Sequence, residues 1–198
     1  MKNKKLLVMA ALLTCGVGNS YAQDNNVVLN YNYISLGFSH DSIDTDDGDL
    51  SGNGLGVSAG IQTGNFTFSV FLGNTWLDAG DANILETGGT VCYVIHATDK
   101  LNIRPGVGLS YAKLHDWTYY YADAWGITPQ INLEYAATDS LELNGSVGYS
   151  NPTDSDYDGE LLGRLGLEYA ISQSTGVGLG VSFGENAVGV GAYISFHR

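Results

Sequence analysis

The chain has 198 residues, with 8 Lys and Arg against 21 Asp and Glu, for a net charge of −13. That length suits one domain, and the acidity excludes nucleic acid as a partner, because binding phosphates takes a basic surface. With 27 Gly, 13 Tyr and only 3 Pro, the composition points to β structure with small, close-packed inward positions.

The first residues read as a leader. "MKNKK" is basic, "LLVMAALL" is apolar, and "NSYA" ends in Ala22 with Ser20 two positions before it. This is the order of a secretory signal peptide over residues 1–22, cleaved between Ala22 and Gln23. The apolar run is too short to span a bilayer as a helix. "LLTCG" offers a rival route in which Cys15 takes a lipid, but Thr14 is bulky there and the Ser-Tyr-Ala site is better formed. Loss of Lys2, Lys4 and Lys5 moves the net charge from −13 to −16. The domain 23–198 then keeps a single cysteine, Cys92, so no intramolecular disulfide can form, and the sequence assigns that thiol no role.

From there the chain alternates apolar residues with small or polar ones. The pattern predicts ten strands, over 28–39, 53–63, 65–76, 85–97, 100–113, 123–136, 140–150, 160–171, 175–184 and 187–197, with eight as the alternative count. In "LNIRPGVGLSYA", Leu101, Ile103, Pro105, Val107, Leu109 and Tyr111 face one way and Asn102, Arg104, Gly106, Gly108, Ser110 and Ala112 the other. "AWGITPQINLEYA" repeats the arrangement, and its aromatics Trp125 and Tyr135 lie ten residues apart. In a tilted strand that is roughly 25 Å of height, the apolar band of a membrane barrel. Trp76, Tyr111, Trp125 and Tyr149 would form one aromatic girdle, and Phe66, Tyr135, Tyr169 and Phe196 the other.

Every second connection is short ("TGN", "ATDK", "ATDS", "SQST"). The others are longer and acidic ("DSIDTDDGDLSG", "LDAGDANI", "LHDWTYYYAD", "NPTDSDYDG"), with a tight "GEN" between the last two strands. That rhythm predicts an up-and-down antiparallel barrel with short periplasmic turns, long external loops and both termini in the periplasm. Closure follows because an open edge in lipid would leave backbone groups unpaired. "ATDKLNIRPGVGLS" and "ATDSLELNGSVGYS" form a weak repeat at forty residues, one hairpin unit recurring.

The leader, the opening "NYNYISLGFS", the strand "LLGRLGLEYA" and the closing "GVGAYISF" together resemble the small outer-membrane β-barrels grouped with opacity porins and the OmpA membrane domain. The last segment is similar to the C-terminal signal read by the barrel-assembly machinery, with Gly191, Ile194 and Phe196 in matching places. The resemblance implies a monomeric, integral outer-membrane protein with outer-membrane lipid and lipopolysaccharide as surroundings. It departs from the pattern at His197 and Arg198, which follow the terminal aromatic, and in having no peptidoglycan-binding domain after the barrel.

On the inward face, Glu86, Arg104, Glu134, Glu142, Arg164 and Glu168 are expected to form ion pairs that brace a narrow lumen, with Arg104–Glu134 and Glu142–Arg164 on adjacent strands. His96, Cys92 and Asn144 share that face. A structural or surface role without catalysis is the main reading. The alternatives are a narrow cation-preferring channel lined by the same charges, and a hydrolase at the rim built on Ser39-His40-Asp41 or His115-Asp116. Tyr119, Tyr120 and Tyr121 suit the headgroup level.

Twelve acids fall in the long loops: Asp41, Asp44, Asp46, Asp47, Asp49, Asp78, Asp81, Asp116, Asp123, Asp154, Asp156 and Asp158. They would hold Ca²⁺ or Mg²⁺ loosely against lipopolysaccharide phosphates. "DSDYDGE" begins like an EF-hand, but the twelfth position after Asp154 is Leu165 where a bidentate Glu is needed. Asp154, Asp156 and Asp158 thus remain a weak metal candidate at a loop tip, and no resident cofactor is expected.

Overall fold

The structure is a computed structural model that describes residues 21–23, 28–45, 48–78, 82–115, 121–153 and 159–198. Ten long strands make the barrel: β1 (Tyr33–Thr45), β2 (Gly48–Thr63), β3 (Phe66–Leu77), β4 (Asn83–Tyr93), β5 (Leu101–His115), β6 (Tyr121–Ala136), β7 (Leu141–Pro152), β8 (Glu160–Ser172), β9 (Thr175–Phe183) and β10 (Ala187–His197). Each pairs antiparallel with its sequence neighbours, and β10 returns to β1 from Tyr33↔His197 to Ile43↔Ala187. The sheet is therefore closed and has no free edge, which is the condition for a sheet surrounded by lipid. Tyr21–Gln23 and Val28–Asn30 pair with each other in a separate two-stranded sheet, and Ile95–His96 extends the line of β4 along β5.

Two of the predicted boundaries move. The first barrel strand starts at Tyr33 rather than at residue 28, and the residues just before it turn into the barrel mouth. The first long loop, expected over 41–52, is instead a continuation of β1 and β2, which stay paired as far as Thr45↔Gly48. Acidic composition there reads as loop, yet the two strands stay paired and the alternation persists, with Asp41 and Ile43 buried while Ser42 and Asp44 face out. Asp41, expected in the solvated acidic rim, thus lies inside the barrel.

The turns follow local chemistry. Gly64 takes φ of +58° in the two-residue link from β2 to β3, a backbone state that costs any residue with a Cβ. The forty-residue repeat makes one turn twice. Ala97 N–H donates to Leu101 O and Ala137 N–H to Leu141 O, both at 2.9 Å, while Thr98 Oγ1 and Thr138 Oγ1 each accept from the residue two positions on at 3.2 Å.

The outer wall is apolar and exposed from end to end, for example Ile34, Leu55, Val70, Ile127, Leu165 and Leu179. No helix among the described residues is long and apolar enough to cross a membrane, which is beside the point for a chain that would cross with strands. Trp76, Trp125 and Tyr149 project outward near the long loops, and Tyr111 packs on Trp125 with ring centroids 4.9 Å apart. Phe66, Tyr135, Tyr169 and Phe196 project outward near the short turns. Phe66 meets the edge of Tyr93 at 5.3 Å, a partner absent from the sequence reading.

Candidate functional site in the lumen

The inward face has three zones. At the short-turn end it is polar and wired together. Residues 31 and 32 fold back beneath β1, and Tyr31 is 2% exposed. Its hydroxyl donates to Glu134 Oε2 at 2.5 Å and accepts from Asn102 Nδ2 at 2.8 Å. Arg104 forms an ion pair with Glu134, donates to Thr67 Oγ1 at 3.2 Å and places its guanidinium 4.3 Å over the Tyr31 ring. One tyrosine, one arginine and one glutamate thus partner one another, the condition under which a buried charge is tolerated. Asn32 completes the seal, because its carbonyl accepts from Arg198 N–H and its side chain from Gln62 N–H.

A second cluster sits around Glu168. Its Oε1 accepts from Ser195 Oγ at 2.6 Å and lies 2.9 Å from His197 Nε2, and its Oε2 accepts from Tyr193 OH at 3.0 Å. The Tyr193 ring lies directly over Gly178, where a Cβ would stand 2.0 Å from it, so glycine is what lets the two strands approach. Glu, His and Ser together resemble the parts of a hydrolytic triad, but the wiring differs. The same nitrogen, His197 Nε2, faces both the carboxylate and Ser195 Oγ at 3.0 Å, leaving no separate orienting and proton-accepting sides, and all three side chains are buried. The two residues that departed from the family's terminal pattern, His197 and Arg198, are therefore the ones that tie the last strand into this seal.

The middle zone is floored by glycine, serine and threonine and contains three cavities, of about 50, 100 and 70 Å³. Phe71 and Arg164 line all three. Cys92 is buried on the wall of the largest, with Asn132 Nδ2 3.6 Å from its sulfur.

At the long-loop end the filling is apolar. Ile43, Leu77, Ile84, Ala112, Leu114, Ala124 and Ala187 are all buried and form a collar inside the mouth. The inward face was expected to be polar or glycine throughout, and this collar corrects that expectation. Sequence alternation alone registers "SIDT" or "NILE" as a break in pattern, because nothing local says that the lumen itself has an apolar plug.

The six expected lumen charges therefore part company. Arg104 and Glu134 pair as their adjacent strands suggested. Glu142 stands opposite Glu168 in the ladder and Arg164 opposite Ser146, so the expected partners Glu142 and Arg164 are out of register. Glu168 is held by hydroxyls and a histidine rather than by an arginine. Glu86 is the clearest departure from the ion-pair network. It is 1% exposed, its ladder neighbours are Gly73 and Ala112, and neither carboxylate oxygen accepts a hydrogen bond among the described residues.

Of the rim candidates, alternation separates Ser39 and Asp41, which bond to each other inside at 2.9 Å, from His40, which faces out against Asn53. His96 leaves the inward row and sits exposed against Asn102 Oδ1 at 2.8 Å. Asp116, Tyr119, Tyr120, Asp46, Asp47, Asp81 and the metal candidates Asp154, Asp156 and Asp158 lie outside the described residues, as does the Tyr121 side chain. Among the described residues no group of three His, Cys, Asp or Glu could hold a metal ion. Tyr31 was missed because the opening strand was drawn through it; the signal was there in "NYNY", where two tyrosines of one parity begin the inward row.

No protein-family model matches the chain, and no curated protein does either. Among solved structures, the translocator domain of autotransporter NalP from Neisseria meningitidis is similar at 12% identity and TM-score 0.56, over 88% of this chain and 90% of that one. Neisserial surface protein A is similar at 14% identity and TM-score 0.46, over 84% and 96%. The NanC porin is similar at 11% identity and TM-score 0.49, over 83% and 100%. At these identities the likeness speaks for the fold alone. The chain folds as a closed, antiparallel ten-stranded β-barrel of the kind found in outer-membrane proteins.

Proposed function

We propose that the protein is an integral outer-membrane barrel with a structural or surface-interaction role, without catalysis and with a lumen closed at rest. The observation that carries this reading is the double stopper: the Tyr31–Arg104–Glu134 lock at one end and the apolar collar at the other, with separated cavities no larger than about 100 Å³ between them. The exposed apolar wall framed by aromatics supports residence in lipid, with short turns toward the periplasm, long loops outward and lipopolysaccharide around them. The closing "GVGAYISF" supports handling by the barrel-assembly machinery, and the closed single-chain sheet supports a monomer.

The experiment is planar-bilayer recording on refolded mature protein. The expected result is no steady current; a sustained open state in the wild type would overturn the closed-lumen reading. A narrow channel is the second reading, favoured by one observation: Phe71 and Arg164 line all three cavities and lie between them. It predicts that Phe71→Ala raises a current the wild type already shows.

A further inference from the structure

We infer that Tyr31 and Asn32 are a lid rather than part of the wall: they swing out at the short-turn end and open the largest cavity to small polar solutes. This lid supplies the moving part of a lumen proposed to be closed at rest, and rests on that reading.

The barrel closes without these two residues, because β10 meets β1 from Tyr33↔His197 onward. Val28–Asn30, just before them, pair in the separate two-stranded sheet. The segment is thus tied to the barrel ladder on one side only, through β1, and leaves without unpairing a barrel strand. Segments held outside a ladder are the ones that open locally while the rest of a fold stays intact.

Its place is that of a cover. Tyr31 lines the cavity of about 100 Å³ whose wall also carries Cys92, Arg104 and Asn132. The ring packs on Val94, and its hydroxyl meets Asn102 and Glu134. Each of those three lies one inward position nearer the short turns than Cys92, Arg104 and Asn132, respectively. Tyr31 therefore stands between the cavity and the short turns, and Cys92 behind it is 2% exposed. The wall it covers offers Arg104, Gln130, Asn132, Thr67 and Ser69, groups that suit a small polar solute.

What holds the lid is exchangeable. The Tyr31 hydroxyl bonds to Glu134 and Asn102, and the Arg104 guanidinium covers its ring. Asn32 accepts from Gln62 N–H at 3.0 Å and from Arg198 N–H at 3.1 Å. Water replaces these partners when the segment swings out, and Glu134 keeps its ion pair with Arg104, so opening leaves no buried charge bare.

Cys92 is the only cysteine after residue 22 and serves as the reporter. The test follows its labelling by a small methanethiosulfonate reagent in refolded mature protein, with folding checked by heat-modifiable migration. Wild type is expected to label slowly. Tyr31→Phe keeps the ring and loses the latch, so it should label roughly tenfold to a hundredfold faster, the factor by which loss of a hydrogen bond to a charged group raises an open population. Removal of residues 23–31 should give the fastest labelling, and Ile84→Ala at the opposite end should keep the wild-type rate. Tyr31→Phe at the wild-type rate would overturn the lid, since a static filler needs only its ring, and would leave the closed lumen standing. Acceleration by Ile84→Ala as large as that by Tyr31→Phe would also overturn it, as general loosening of the barrel. A wild type that labels as fast as the shortened chain would overturn lid and closed lumen together.

Discussion

The two ends of the lumen are lined by opposite means. At the short-turn end, Glu134 is held by Arg104 and Tyr31, and Glu168 by Ser195, Tyr193 and His197. At the long-loop end, aliphatic side chains are buried inside the mouth, and among the described residues Asp41 and Glu86 have donors for only one oxygen of four. The difference follows from the chain ends. Both termini of the barrel meet at the short-turn end, so Tyr31, Asn32, His197 and Arg198 are there to contribute polar groups that strands alone would not supply. The far end receives only hairpins, and aliphatic side chains are prominent among its buried described residues.

Three substitutions break this contrast in descending order. Arg104→Ala leaves Glu134 buried with a neutral partner only, and breaking a buried pair from one side costs about 3–5 kcal/mol. The urea midpoint of the refolded barrel should fall accordingly, and Arg104→Ala with Glu134→Gln together should cost less than the sum of the two. Ile84→Ala removes a fully buried side chain from the collar and should cost about 2–5 kcal/mol. That loss comes from packing, so unlike the first it should be insensitive to salt. Tyr31→Phe keeps the ring under Arg104 but removes the hydroxyl between Glu134 and Asn102. Hydrogen bonds to charged groups contribute about 1.5–3 kcal/mol, and the same denaturation assay reads the loss.

Much of the barrel was legible because its signal is periodic. Ten strands, the outward aromatics and the Arg104–Glu134 pair all follow from alternation plus neighbour relations, which a one-dimensional pattern carries well. What escaped depends on register and on contacts across the lumen. Whether Glu142 meets Arg164 or Glu168 turns on how far β7 slides along β8, and no residue announces that offset. The partners of Glu168 come from β10, and Tyr31 reaches Glu134 from outside the strand altogether. The apolar collar was hidden for a different reason: aliphatic residues of inward parity look like errors in the pattern unless the lumen is known to be plugged there.

The smallest effect separates the lumen from what projects beyond it. In the paired arm of β1 and β2, Asp44 stands directly opposite Asp49, both exposed. Like charges facing each other across strands destabilise by about 0.2–1 kcal/mol, and solvent and salt push the value toward the low end. Asp49→Asn should therefore raise the urea midpoint slightly at low ionic strength, and the gain should vanish in high salt. Calcium in the buffer should produce the same gain in wild type and none in the variant, if these carboxylates meet only diffuse counterions. Salt and calcium thus act alike on this pair, and their agreement tests whether the acid on the arm is solvated.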